Sequence, residues 1–454
     1  MNLVERVIAL GELQVENKNA LTSFLPFRKG GKEFEYSTVG GSVLCAFVGK
    51  RPRKGFSWEA FKAICLDRLK HRLSESRVID DLRHMYFDND ALLNRSPRFL
   101  LLKSAAGDNA STKHLARIFC GFVSPNSDAT FEGSATFIEK LFIEALDENL
   151  KAQQFEKAET PYLPFVADLF QKDLLFLINH ADYLMANFEP FFELYNVIYS
   201  TQLALNITHW KAGSPPVARP LYFILDNERF SSERTQLTSF GFKPLETAVS
   251  RIFPRLSALE YLNSGDQTPA EPLWASAASL LNSPADQQQA AGRAVKEFSA
   301  KFQRDRMLAV KHAEGTTVFD ELDVLLHYSE LQFAEGTGRH RVQMQYVEAF
   351  EKTVAQNFIQ ARGRAGKALV MNQDFVLLLT NLAIGNRMRL RFQEVIKEFQ
   401  KRGFCFDKHL QQTLINFFER VGLLSHQNLF DPLDRDRTSC VTVPRVFSSV
   451  VTCI

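Results

Sequence analysis

Basic side chains occur in short runs beside glycine or proline, and binding phosphate is the chemistry that such runs can perform. Loop arginines and lysines next to glycine can reach phosphate oxygens without bulky neighbours in the way. Solvent-facing charge with no ligand is the alternative for any single run, whereas several runs late in the chain favour a shared partner surface. The candidates are Lys50, Arg51, Arg53 and Lys54, then Arg339 and Arg341, then Arg362, Arg364 and Lys367, and finally Arg387, Arg389 and Arg391.

Three predicted helices near the C-terminus carry a further set of candidates. They run over 373–384, about 390–401 and about 408–421, and a glycine stops each one. Two extended runs around residues 431–437 then predict a β-hairpin. This order is typical of a winged helix, whose third helix enters the major groove of DNA and would present Lys408, Gln411 and Gln412 to it. Protein scaffolding by the same module stays open, because a helix-turn-helix shape does not fix its use.

Sequence signatures of enzymes are missing. A phosphate-binding loop needs an early glycine and a Ser or Thr after its lysine, but Ala361 and Ala368 occupy those places around the pair Gly366 and Lys367. Leu44 stands where the pair Gly49 and Lys50 would need the early glycine. The histidines form no zinc-protease motif and pair with no nearby cysteines. We therefore expect no ATPase activity, catalytic residue, metal or cofactor.

One acidic stretch leaves a catalytic alternative open. Asp81, Asp88 and Asp90 lie near His84 in the sequence, and carboxylates with a histidine can bind a divalent ion. A solvated helix end followed by a turn explains the same residues. A metal-dependent nuclease is accordingly kept as a rival hypothesis.

Composition and charge set the broad class of the protein. The 454 residues are 45% apolar and 23% charged, with 40 phenylalanines that suit long helices packed face to face. Residues 128–200 hold thirteen acidic side chains against four lysines, whereas residues 361–403 hold nine basic side chains against three acidic ones. An acidic body and a basic end predict one surface for protein and another for a polyanion.

The sequence also predicts a cytoplasmic location and a mainly α, multi-domain helical fold. No apolar stretch is long enough for a bilayer, and the six single cysteines suit a reducing compartment. The expected domains are a mixed N-terminal domain, an acidic helical domain, a linker or long loop rich in Ser, Ala, Pro and Gln, a helical connector with basic loops, and a winged-helix-like module. Their ranges are 1–125, 126–262, 263–292, 293–370 and 371–454.

Four stretches together resemble the DptG family, the G component of DNA phosphorothioation-dependent restriction. They cover residues 19–44, 162–205, 221–234 and 389–424, in the same order along most of the chain. The resemblance implies a role in anti-phage defence, in which bacteria that carry sulfur in their DNA backbone damage DNA lacking that mark. It also implies partner restriction subunits that carry ATPase modules, and it supplies no catalytic residue.

The combined prediction is a non-catalytic subunit of such a restriction complex. It would contact double-stranded DNA through the basic region 339–402 and dock ATPase partner subunits through the acidic body, without a membrane. A pure protein scaffold without DNA contact is the second rival, beside the nuclease.

Overall fold

Helices dominate the structure, a computed structural model that describes residues 2–16, 23–27, 33–105, 109–126, 135–152, 159–226, 235–264, 269–310, 315–363, 366–425 and 440–442. The mainly α class is thus confirmed. The α-helices of these residues are α1 (Leu3–Ala9), α2 (Tyr36–Val48), α3 (Trp58–Arg72), α4 (Ser76–Phe87), α5 (Ala110–Cys120), α6 (Phe137–Asn149), α7 (Pro164–Ile178), α8 (Ala181–Asn206), α9 (Thr235–Phe240), α10 (Phe242–Leu262), α11 (Leu273–Leu281), α12 (Ala285–Asp305), α13 (Val318–Leu331), α14 (His340–Ala349), α15 (Gln373–Ile384), α16 (Phe392–Lys401) and α17 (Lys408–Arg420).

Short strands join the helices into small sheets. The strands are β1 (Lys50–Pro52), β2 (Leu150–Ala152), β3 (Leu221–Tyr222), β4 (Ile224–Leu225), β5 (Ile359–Ala361), β6 (Lys367–Met371), β7 (Arg389–Arg391), β8 (Phe404–Cys405), β9 (Leu424–Ser425) and β10 (Cys440–Thr442). Residues 221–222 and 224–225 form the two-residue strands β3 and β4. Strand β4 pairs in parallel with β6, which also pairs with β5.

Local sequence signals place several helix boundaries. Ser57 caps the N-terminus of α3 and Asp407 caps that of α17, each accepting a backbone N–H with its side-chain oxygen. A left-handed backbone after a helix favours glycine, which has no Cβ to clash. The three helices near the C-terminus are followed by glycines with positive φ, namely Gly385, Gly403 and Gly422.

The main core surrounds the long helix α8, which packs against α2, α7, α10 and α15. Aromatic rings fill the space between these helices. The ring of Phe170 on α7 lies 5.3 Å from that of Phe191 and 4.9 Å from that of Tyr195, both buried on α8. The abundance of phenylalanine is therefore used in the way that the composition predicts, as bulk between helices.

Helix α2 approaches α8 closely at Gly40. A Cβ there would lie 2.2 Å from Cζ of Phe188. We expect Gly40→Ala to lower the free energy of unfolding by about 1–3 kcal/mol, because overpacking outweighs the gain in helix propensity. In the matched control, Gly292→Ala on α12, the nearest atom would be 3.7 Å away, and we expect stabilisation of up to about 1 kcal/mol. Urea denaturation measures both, and equal effects would contradict this close approach.

A smaller second core lies between α3, α4 and α6. Its buried residues include Phe61, Phe87, Phe99 and Phe142. The antiparallel ribbon of β1 and β2 lies at the edge of this core, because Leu150 packs against it. The ribbon is thereby fixed to a rigid support.

Residues 263–292 are not the linker that their composition predicts. They contain α11 and the first turns of α12. Leu273, Ala277 and Leu280 are buried on α11, and the Nε1 of Trp274 donates a hydrogen bond of 3.0 Å to the carbonyl of Tyr162. The many Ala and Gln residues are good helix formers, and this apolar face gives the helix a place in the core.

The C-terminal helices alternate with strands in a defined order. Strand β7 follows α15, and β9 and β10 follow α17, forming an antiparallel sheet with the strand order β7-β10-β9. The turn-rich residues 431–437 lie outside the described residues. Strand β8, between α16 and α17, pairs instead with β3 in the body of the protein. The C-terminal region is therefore joined to the body by its own helix–helix turn.

Candidate nucleic-acid interface

The turn between α16 and α17 is anchored rather than free. Gly403 has a φ of 87°, and a Cβ there would lie 2.1 Å from Nε2 of Gln202. The side-chain amide of Gln202 in turn donates to the carbonyl of Arg219 at 2.9 Å and accepts from its N–H at 2.8 Å. The turn thus functions as a strut against α8, and only the remaining surface of the two helices is available to a ligand.

Arg402 belongs to the basic stretch 361–403 but contributes nothing to its surface. Its side chain is fully buried, and its guanidinium donates to both carboxylate oxygens of Asp173, with Nη2–Oδ1 at 2.7 Å and Nε–Oδ2 at 3.0 Å. Tyr195 also donates to Oδ2 of Asp173, at 2.6 Å. Burial alone would lower the pKa of Arg402, but the charges of Asp173, Tyr195 and Glu398 and the hydrogen bonds with Asp173 together outweigh it and raise that pKa above its ordinary value. This pair joins α7 to the end of α16.

In the run at Arg362, Arg364 and Lys367, the two described side chains, Arg362 and Lys367, contact other parts of the protein. Nη2 of Arg362 donates to the carbonyl of Asp226 at 2.8 Å. The ammonium of Lys367 pairs with Glu351 and lies 5.4 Å from the centre of the Phe242 ring. Arg364 lies outside the described residues. Arg362 and Lys367 therefore have structural partners that compete with any phosphate.

Arg339 and Arg341 differ in exposure. The half-buried Arg339 donates from Nη1 to Oε1 of Gln332 at 2.8 Å, and burial, aided by the charge of Arg306, lowers its pKa. Arg341 is exposed in the first turn of α14. Of this pair, only Arg341 presents its charge openly to solvent.

The arginines of the run at 387–391 remain at the surface. Arg389 and Arg391 are exposed on β7, and Leu390 between them is buried. Strand β7 is the edge of its sheet among the described strands. Nε of Arg387 donates to the carbonyl of Ile384 at 3.0 Å, which orients its guanidinium at the end of α15. Arg389 and Arg391 are thus the best-placed cations of the C-terminal region.

Helix α17 offers fewer free groups than the sequence predicts. Lys408 and Gln412 are exposed, but Gln411 is half-buried and donates from Nε2 to the carbonyl of Phe406 at 2.9 Å. Nε2 of Gln412 donates to the side chain of Asn416 at 3.3 Å. Reading a base with either glutamine would require these local hydrogen bonds to break.

A cleft of about 200 Å³ lies beside α17. The guanidinium of Arg420 borders it, 5.7 Å from the centre of the Phe417 ring. Its mixed polar and apolar walls suit a side chain of a protein partner as well as a nucleotide. The lining residues are Leu225, Asp226, Gln373, Val376, Thr413, Asn416, Phe417 and Arg420.

The ribbon of β1 and β2 gathers cations from two distant parts of the sequence. Lys50, Arg51, Arg53 and Lys54 are exposed, and the register places Lys151 opposite Arg51. Like charges directly opposite each other destabilise a strand pair, and an anion relieves that repulsion. The sequence analysis missed Lys151, because only strand pairing across about a hundred residues reveals it.

Two described acidic side chains near the ribbon are already paired elsewhere. Glu148 pairs with Arg68, and Asp147 lies 3.4 Å from Arg98. These two carboxylates near the start of β2 are thus neutralised by other arginines. The ribbon cations keep their positive potential as a result.

Nothing in the described residues suggests a metal centre or a membrane span. Within the described ranges, no group of three or more His, Cys, Asp or Glu side chains could hold a metal ion. His84 Nδ1 and Asp88 Oδ2 form an exposed pair 2.7 Å apart. Of the helices whose residues are described, none is sufficiently long and apolar to span a bilayer.

No protein-family model matches the chain, and no curated protein matches it significantly.

Proposed function

We propose that this chain is a non-catalytic subunit that contacts duplex DNA and bridges partner proteins in a phosphorothioation-dependent restriction assembly. The observation that carries the DNA contact is the exposed pair Arg389 and Arg391 on the edge strand β7, next to helices held rigidly on the body. Arginine forks bind phosphate in two-pronged geometry, and a rigid support lowers the entropy lost on binding. The restriction assembly itself is proposed on the sequence resemblance alone.

We further propose that the C-terminal region is a winged helix. Its elements follow the order α15, β7, α16, α17, β9 and β10, with β10 between β7 and β9 in the sheet. This order, with a strand between the first two helices, supports the assignment better than three helices followed by a separate hairpin would. The reason is that β7 completes the sheet. The anchored turn at Gly403 implies that DNA approaches from the side of β7 rather than from the side of the turn.

A scaffold without DNA contact is the second candidate function. The cleft beside α17 suits a side chain of a protein partner. Local hydrogen bonds already occupy the amide groups with which Gln411 and Gln412 would read bases. Both observations favour the scaffold function. The bridging part of the proposal needs such protein surfaces as well. DNA binding therefore decides between the two candidates.

The double variant Arg389→Gln with Arg391→Gln tests the DNA contact. We expect the intact chain to retard duplex DNA in a gel at low salt. The double variant should bind roughly 10-fold more weakly, with a salt slope smaller by about 2 units, because two phosphate contacts are lost. Both side chains are exposed, so the melting temperature should stay unchanged.

The control is Arg72→Gln with Arg77→Gln, which removes two exposed arginines from α3 and α4 in the second core. It should bind DNA like the unmodified chain. Unshifted DNA at every salt concentration would contradict the proposal and leave the scaffold function. Metal-dependent nicking of a plasmid that disappears in Asp88→Ala would favour the nuclease instead.

A further inference from the structure

Three surface cations from three segments converge on one shielded carboxylate, that of Glu398. The Nζ of Lys401 lies 2.9 Å and Nη2 of Arg387 lies 3.7 Å from Oε1, whereas Nζ of Lys172 lies 4.0 Å from Oε2. Lys172 comes from α7 in the acidic body, and the other two come from the C-terminal region. We call Lys172, Arg387 and Lys401 the Glu398 cation cluster.

The charges in and below this cluster do not cancel. Glu398 also contacts the buried Arg402, with Nη1–Oε2 at 3.4 Å, and Arg402 pairs with Asp173. Four cations therefore share two carboxylates. Burial raises the pKa of Glu398, but the hydrogen bond from Lys401 and the charges of Lys172 and Arg402 outweigh it, so that pKa is lowered and the group stays ionised at neutral pH. An excess of two positive charges remains.

This excess charge faces the solvent. The side chain of Glu398 is only 8% exposed, whereas those of Lys172, Arg387 and Lys401 are 53%, 44% and 61% exposed. An incoming anion therefore meets the three cations and not the carboxylate. Neutralising Glu398 does not account for the cluster. This carboxylate is already paired with Arg402, so three further cations exceed what its single charge requires.

The cluster is also preorganised. Arg387 donates to the carbonyls of Ala383 and Ile384 at the end of α15, which fixes the plane of its guanidinium. Lys401 and Arg387 contact the same carboxylate oxygen, so their charged groups are held close together. The Arg402–Asp173 pair beneath them joins α16 to α7 and keeps Lys172 in register with the other two. Little side-chain freedom is then lost when an anion binds.

We infer that the Glu398 cation cluster binds a phosphate group of the DNA backbone, so that duplex DNA spans from the C-terminal region onto helix α7. This inference rests on the proposed function and names a contact that the function alone does not require. Two of the five N–H groups of Arg387 bind the carbonyls at the end of α15, and the remaining ones, with a lysine point charge on either side, suit the oxygens of a phosphodiester. Arg389, exposed two residues after Arg387, extends the same surface toward the next phosphate.

The test is a salt titration of duplex DNA binding by the full chain and by Lys172→Gln with Lys401→Gln. Arg387 is left in place because it caps α15. We expect the double variant to bind roughly 10-fold more weakly at low salt, with a salt slope smaller by about 1–2 units. Lys172→Arg with Lys401→Arg, which keeps the charge, should bind like the unmodified chain, and so should the control Lys70→Gln with Lys140→Gln in the second core.

The outcomes separate this inference from the proposed function. If the full chain binds DNA while Lys172→Gln with Lys401→Gln keeps its affinity and slope, the cluster is excluded and the proposed function stands. If the arginine variant fails as the glutamine variant does, positive charge is not the cause and the inference is overturned. If the full chain binds no duplex at any salt concentration, the proposed function fails and the cluster contact fails with it.

Discussion

Replacing Asp173 by alanine should lower the free energy of unfolding by about 3–5 kcal/mol, because the buried guanidinium of Arg402 loses its two-pronged carboxylate and keeps only one carboxylate contact, at 3.4 Å with Glu398. Arg402 is fully buried and donates to both oxygens of Asp173, the shorter bond measuring 2.7 Å. The hydroxyl of Tyr195 would lose its acceptor as well. Urea denaturation of the full chain, followed by circular dichroism, measures the effect.

Two controls show whether the loss comes from an unpaired charge. Asp168→Ala removes an exposed carboxylate from the same helix, α7, and should change the free energy of unfolding by less than about 0.5 kcal/mol. Asp173→Leu combined with Arg402→Met should recover most of the lost stability, since an apolar pair of similar volume replaces the ion pair. A loss below about 1 kcal/mol in Asp173→Ala would show that Arg402 finds another partner.

Gly403→Ala should destabilise the protein by roughly 3 kcal/mol, through left-handed backbone strain and overpacking together. Its φ is 87°, and the new Cβ would lie 2.1 Å from Nε2 of Gln202. Moving Gln202 would break both of its hydrogen bonds to Arg219. Because this turn anchors α16 and α17 to the body, the variant should also expose the C-terminal region to limited proteolysis before the rest of the chain.

Gly422→Ala is the matched control for this turn. Its φ is 73°, but a Cβ there would meet nothing within 4 Å. Strain alone should then cost about 1 kcal/mol, without early proteolysis. Equal losses in the two variants would mean that the contact with Gln202 has no part in holding the turn.

The local pattern of the C-terminal helices was predictable from the sequence. Helix α15 has the predicted bounds, and α17 begins at Lys408 as predicted and ends one residue early. These boundaries follow from short-range signals, an Asp at the N-cap and glycine after the end, which act within a few residues. The expected segregation of Phe onto buried faces follows from the same helical period.

Contacts between residues far apart in the chain could not be predicted from the sequence. Nothing near Arg402 in the sequence signals that it is buried against Asp173, more than two hundred residues away. The same holds for Lys151 opposite Arg51 and for the parallel pairing of β8 with β3. A net charge counted along a stretch cannot distinguish an exposed arginine from a buried one, so the basic surface is smaller than the composition of residues 361–403 suggests.

The anchored C-terminal region fits a subunit that transmits contacts rather than one that reads sequence. Backbone phosphates position a protein on DNA without specifying bases, and we propose that Arg389 and Arg391 make such contacts. A rigid connection through Arg402 and Gly403 would carry any displacement of the DNA directly to helices α7 and α8. Partner subunits docked on the acidic body, residues 128–200, would then sense DNA engagement.

Hydrogen–deuterium exchange of the full chain with and without duplex DNA tests the central claim most directly. The proposed DNA contact predicts slower exchange in residues 385–402 on DNA binding at low salt, with the protection lost as salt rises. Helix α4, in the second core and apart from the cations proposed here, should exchange at the same rate in both states. Unchanged exchange throughout residues 385–402, at a DNA concentration that saturates binding, would contradict the account.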